Sequence, residues 1–218
     1  GDSNVAIGTN LGTGTGYRNT GVGAGALQNF SGTSFGNNTG IGFANMQGLT
    51  TGYGNTSLGG ETLASVANND NNTAIGNQTL RNATSSNNTA LGATAGNGVT
   101  SGSGNTFLGS QADTSGGTNS NATAIGYGAV VSASNSIQLG NTNVTLVNTS
   151  GAVTSTLEVT GKQLISTVAT GTAPLVVTST TPVANLNIGG NAATVTTNAN
   201  LTGDVTSVGN ATTIAADA

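Results

Sequence analysis

All the charge in the 218-residue sequence comes from seven acidic side chains and three basic ones, and the sequence has no His, Cys or Trp. The acids are Asp2, Glu61, Asp70, Asp113, Glu158, Asp204 and Asp217; the bases are Arg18, Arg81 and Lys162. Glycoside hydrolysis needs two carboxylates facing one bond, and nucleophilic catalysis needs a base beside a hydroxyl or thiol. The acids are scattered, and no base stands ready to activate the many Ser and Thr hydroxyls. The expectation is a protein that is not an enzyme. Gly21-Val22-Gly23-Ala24-Gly25-Ala26 has the spacing of a dinucleotide-binding loop. It lacks a surrounding βαβ unit and the acidic residue that would follow at the right distance. Asn68-Asn69-Asp70-Asn71-Asn72 has the oxygen content of a Ca²⁺ loop, but not its bidentate Glu or regular acidic spacing. No cofactor and no metal are expected.

The charge balance narrows the partners. A net charge of −4 offers no cationic face to displace counterions from nucleic acid. No apolar run approaches the ~20 residues of a membrane span, and the first residues carry no basic and apolar signal segment. Without cysteine, disulfides cannot form and the redox compartment is left open. The first repeat begins at Asn4, which predicts a segment of a longer chain.

What positions any functional surface is a repeated pentapeptide, clearest as Asn72-Thr73-Ala74-Ile75-Gly76. It recurs around Asn4, Ile7 and Gly8; Asn19, Val22 and Gly23; Asn38, Ile41 and Gly42; and Asn55, Leu58 and Gly59. Further on come Asn88, Leu91 and Gly92, then Asn105, Leu108 and Gly109, and finally two looser copies at Ile125-Gly126 and Leu139-Gly140. The closing glycines are spaced by 15, 19, 17, 17, 16, 17, 17 and 14 residues, a period that marks a repeat architecture rather than a disordered chain.

Within each pentapeptide successive residues point to opposite sides of a strand, so Thr and Ile share one face and Ala the other. A second small apolar element follows each glycine: Leu11, Ala26-Leu27, Met46, Leu63, Leu80, Ala95, Ala112 and Ala129-Val130. Each unit therefore reads as a short strand, a Gly turn, a second short strand and a polar loop. A helical reading fails because Gly interrupts nearly every turn, at about 1 kcal/mol each in a helix interior. The aliphatic positions would stack into a continuous column. The small residues opposite (Ala6, Gly21, Gly40, Ser57, Ala74, Ala90) would let neighbouring columns approach. Two aliphatic residues per unit bury little against a backbone cost of about 1–2 kcal/mol per ordered residue, so oligomerisation is expected.

These repeats resemble the head of trimeric autotransporter adhesins, the YadA-like head, over residues 1–140. Similar repeats occur in phage tail fibres and in fibres of large viruses. The resemblance implies an all-β fold: a left-handed parallel β-roll of about nine coils in a homotrimeric fibre, with the motif strand on the inner side. Several spacings exceed the compact adhesin period, which predicts longer outer loops. Residues 141–218 change to β-branched alternation, as at Val153, Ser155, Leu157 and Val159. Within it, Gly171-Thr172-Ala173-Pro174-Leu175-Val176-Val177 and Asn200-Leu201-Thr202-Gly203-Asp204-Val205-Thr206-Ser207-Val208-Gly209-Asn210 resemble stretches of phage tail-fibre-like and bacterial surface proteins, over about half the segment, and the region reads as a β-rich, prism-like shaft.

The implied function is attachment to a host cell or surface, with a glycan or protein receptor. The chain would then be extracellular, on a virion fibre or a bacterial surface. Tyr17, Arg18, Phe30, Phe35, Phe43, Tyr53 and Arg81 fall in or near loops, and aromatics with Arg are the side chains enriched at binding hot spots. Phe35 and Phe43 have a plainer reading as covers for the open flank of the roll. The repeated Asn either stacks internally or presents a ladder to ice or crystalline polysaccharide, and the internal role is favoured. A passive filament or spacer is the other alternative.

Overall fold

The computed structural model describes residues 3–12, 16–31, 36–65, 67–144 and 147. The chain divides into two units, Gly1–Ala152 and Val153–Ala218, and every described residue belongs to the first. Nearly all of the shaft expected at 141–218 lies outside the described residues, as does Phe35.

Nine three-residue strands form the main sheet. They are β1 (Val5–Ile7), β2 (Thr20–Val22), β3 (Thr39–Ile41), β4 (Thr56–Leu58), β5 (Thr73–Ile75), β6 (Thr89–Leu91), β7 (Thr106–Leu108), β9 (Thr123–Ile125) and β11 (Ile137–Leu139). Every neighbouring pair in this sheet is parallel, and like residues stand opposite like: Thr73 against Thr56 and Thr89, Ile75 against Leu58 and Leu91. Two shorter strands, β8 (Asp113–Thr114) and β10 (Val130–Val131), pair as a second sheet. No described residue is helical. The fold is an all-β parallel solenoid, and each pentapeptide supplies one rung.

The strand faces are the reverse of the sequence expectation. The central residue points into the solenoid, where Ser57, Ala74, Ala90, Phe107 and Ala124 are buried. The flanking Thr and Ile/Leu face outward. The reason is the room available. The interior is already filled by the second apolar element, with Leu27, Met46, Leu63 and Leu80 four residues after each glycine. A strand residue facing them has space for Gly, Ser or Ala only. At Gly21 and Gly40 an added Cβ would already touch the side chain of Leu27 at 3.5–3.6 Å. Phe107, large and wholly inward, obeys the same size rule: it lies where Gly96 replaces the leucine, and a Cβ on Gly96 would sit 2.8 Å from the Phe107 ring. Volume is conserved across the core, as close packing demands.

The second element is a strand only at β8 and β10. Elsewhere it is a turn, with Leu27, Met46, Leu63 and Leu80 in the left-handed region at φ 47 to 52°. Leucine rarely adopts that conformation. Here the amide of each is bonded onward to the following turn of the solenoid: Leu27 to the Asn45 carbonyl, Met46 to Thr62, Leu63 to Thr79 and Leu80 to Ala95, at 2.9–3.1 Å. The kinked backbone keeps its hydrogen bonds and still turns the side chain inward.

Candidate functional site

The repeated asparagines form an internal, hydrogen-bonded ladder. The Oδ1 of each accepts the backbone N–H of the next: Asn38 to Asn55 at 3.0 Å, Asn55 to Asn72 at 3.0 Å, Asn72 to Asn88 at 2.9 Å and Asn88 to Asn105 at 3.0 Å. The Nδ2 of the same side chain donates to a loop carbonyl, as from Asn55 to Asn69 at 2.7 Å and from Asn72 to Ser85 at 3.0 Å. Asn38, Asn55, Asn72 and Asn88 are wholly buried, and no buried side-chain polar atom among the described residues lacks a partner. Beside this ladder runs the glycine column. Gly76 has φ +140°, and a Cβ there would lie 2.5 Å from the Gly92 carbonyl oxygen. Only glycine permits that approach.

What the strands present to solvent is a double row. The first row is Thr20, Thr39, Thr56, Thr73, Thr89, Thr106 and Thr123, with Val5 and Ile137 at its ends. Parallel to it run Ile7, Val22, Ile41, Leu58, Ile75, Leu91, Leu108, Ile125 and Leu139. Leu58 is 48% exposed and Leu91 45%. Eight steps of ~4.8 Å make this stripe roughly 38 Å long. A continuous apolar row of that length is unusual on the surface of a lone chain.

The aromatic and arginine residues named from the sequence separate into different places. Phe30 is buried, 6% exposed, in the core cluster and is not a surface residue. It stands seven residues after its glycine, the offset also held by Leu49, Ala83 and Val99, all buried. That column of apolar residues is the sequence signal for its true position. Tyr17 is half-buried and Arg18 exposed, both just ahead of β2. Tyr53 is exposed ahead of β4, and its N–H donates to Asp70 Oδ1 at 3.0 Å.

Phe43 and Arg81 converge. Both line a depression of about 470 Å³ on the turn that follows the strand, together with Glu61, Gln28 and Gln47. Arg81 Nε lies 3.2 Å from Glu61 Oε2, which also accepts from Gln78 Nε2 at 3.1 Å. Gln47 Nε2 donates to Gln28 Oε1 at 2.6 Å. Phe43 is 65% exposed. Sequence reasoning missed the glutamines, although Gln28, Gln47 and Arg81 all stand five residues after a closing glycine. That shared offset places them in one column.

Asp113 is an acid with a shifted titration. Burial raises its pKa above the ordinary 3.8, against the opposing pull of N–H donors from Thr114 and Gly98. Among the described residues no three acidic side chains gather as a metal site, and no helix is long and apolar enough to cross a membrane. No protein-family model matches the chain, and no curated protein or solved structure is significantly similar to it.

Proposed function

We propose that the chain is a segment of a structural attachment fibre, in which three copies pack side by side through the Thr/Ile face and hold their turns and loops toward a host cell or another surface. The observation that carries this reading is the exposed Ile/Leu row. Burying apolar area is worth about 25 cal/mol per Å², and a straight stripe running the length of the solenoid is best covered by the same stripe on another copy. A threefold arrangement repeats every loop around one axis, so weak contacts gain avidity. The resemblance of the repeats to adhesin heads and tail fibres supports the trimer, the left-handed roll of nine coils and the continuing shaft at 141–218. It also supports an extracellular location, on a virion fibre or a bacterial surface.

Light scattering on the 218-residue chain tests this directly. Three chains per particle are expected, and a Leu58→Asp/Ile75→Asp double variant is expected to dissociate while keeping a strand-dominated circular dichroism spectrum. A folded wild-type monomer at micromolar concentration would end the proposal. The same face supports a second reading, because its Thr column is an in-register, regularly spaced row of hydroxyls. Ice or crystalline polysaccharide is the partner such an array would take, with the buried asparagines contributing nothing. Thermal hysteresis in a monomeric preparation would bring that reading forward.

A further inference from the structure

We infer that the depression holding Phe43 is a binding site for a neutral glycan; this names the ligand class for the attachment reading and rests on it. Three features converge. The first is an aromatic platform. Phe43 is 65% exposed, and the residues at its offset from the preceding and following glycines are Ala24 and Gly60, so no bulky side chain crowds it from either side of its column. An exposed ring on a backbone locked by the Glu61 N–H to Phe43 carbonyl bond, 2.8 Å, presents a flat apolar face of the kind that receives the C–H face of a pyranose.

The second feature is planar hydrogen-bonding groups fixed in place. The Gln28–Gln47 amide pair uses one donor and one acceptor in holding itself together, and each primary amide carries two donors and an acceptor with two lone pairs. What remains is the mixed donor and acceptor capacity that vicinal hydroxyls match. The third is charge balance. Glu61 and Arg81 neutralise each other at 3.2 Å, so the site offers fork-shaped donors and carboxylate acceptors without a net charge to attract a sialic or sulfated sugar. A floor of Ala24, Gly25, Ala44 and Ala64 lets a ligand approach the backbone. The volume, about 470 Å³, falls in the range of roughly 300–1,000 Å³ typical of small-ligand sites. No lining residue belongs to the Thr/Ile stripe, so covering the stripe does not by itself fill the depression.

The test uses the whole chain against a panel of soluble probes: cellobiose, maltotriose, mannobiose, lactose and chitobiose, with sialyllactose and sulfated lactose as acidic counterparts. Binding is read by saturation-transfer NMR and titration, and adhesion of the same protein to cells is measured in parallel. At least one neutral probe is expected to bind, with affinity falling about tenfold in Phe43→Ala and in Gln47→Ala. Tyr53→Ala, in a different column, is expected to bind like wild type, and the spectra and mass of all three variants are expected to stay unchanged. Binding confined to the acidic probes, neutral binding indifferent to Phe43→Ala, or no neutral binding at millimolar probe each overturns the inference. If any of these accompanies intact adhesion, the glycan site falls and the attachment reading stands. Loss of both adhesion and probe binding removes the two together.

Discussion

Replacing Asn72 with Ala probes the internal ladder at its centre. Asn72 is fully buried, and its Oδ1 accepts the Asn88 N–H at 2.9 Å while its Nδ2 donates to the Ser85 carbonyl at 3.0 Å. Asn72→Ala strands the Asn88 N–H in the interior and leaves the half-buried Ser85 carbonyl without this donor. An unsatisfied buried group costs about 1–3 kcal/mol, so the pair should cost on the order of 3 kcal/mol. The Asn55 Oδ1 keeps the Asn72 N–H as a partner at 3.0 Å, so the damage stays local. Repeat arrays unfold less cooperatively than compact domains, and native-state hydrogen exchange is the better assay. The Asn88 amide should lose about a hundredfold protection. The Thr89 amide, bonded to the Asn105 backbone carbonyl at 2.8 Å, should lose much less. As a reference, Asn68→Ala removes only an exposed acceptor of the Thr50 and Thr51 hydroxyls and should cost under about 1 kcal/mol. Equal protection of Asn88 in wild type and Asn72→Ala would refute the view that the side-chain ladder carries stability.

Three further substitutions address the backbone and the half-buried acid Asp113. Gly76→Ala forces a Cβ to 2.5 Å from the Gly92 carbonyl oxygen at φ +140° and should destabilise by about 3 kcal/mol or more in urea. Gly60→Ala, whose Cβ would meet the movable Asn77 side-chain nitrogen at 3.1 Å and the Phe43 carbonyl oxygen at an ordinary 3.9 Å, should be tolerated, and equal melting of the two variants would contradict the steric argument. Burial raises the Asp113 pKa in the folded chain, so the unfolded chain releases this proton first as pH rises. Its contribution to stability therefore declines from pH 3.8 up to the folded pKa and is flat above it. Asp113→Asn, which keeps an oxygen for the Gly98 N–H, should gain on wild type across that window and hold a constant advantage at neutral pH. A difference independent of pH between about 3 and 7 would show that the carboxylate is not desolvated in this way.

The rungs of the solenoid were legible in the sequence because the period is covalent: Thr73-Ala74-Ile75 between its Asn and Gly reads as a strand and is one. The inner position of Asn72 was legible for the same reason, since an amide repeated at fixed spacing can bond to its own copies. Which strand face is buried was not legible. Alternation separates Ala74 from Ile75 but is symmetric between inside and outside. What breaks the symmetry is the bulk of Leu63 and Leu80 across the interior, a contact between segments that pattern alone does not place. The second element misled because Leu80 is a poor residue for φ 48°. Its conformation is held by the bond from its N–H to the Ala95 carbonyl, which belongs to the stack and not to the local sequence. Phe30 was misplaced because aromatics near glycines read as loop residues, and its agreement in offset with Leu49 and Val99 outweighs that cue. Of the depression, Phe43 and Arg81 could be found by residue type, whereas Gln28 and Gln47 become meaningful only when residues are counted from their glycines.

The Asn ladder also works as a ruler. Its successive hops cover 15, 19, 17, 17, 16 and 17 residues, yet each closes with the same bond from N–H to Oδ1 at 2.7–3.1 Å. Chain length between marks is thus uncoupled from distance along the axis. Residues added to a loop bulge sideways and leave the indexing of every later rung untouched. Loops can be lengthened, shortened or exchanged one at a time, and whatever they carry stays at a fixed height.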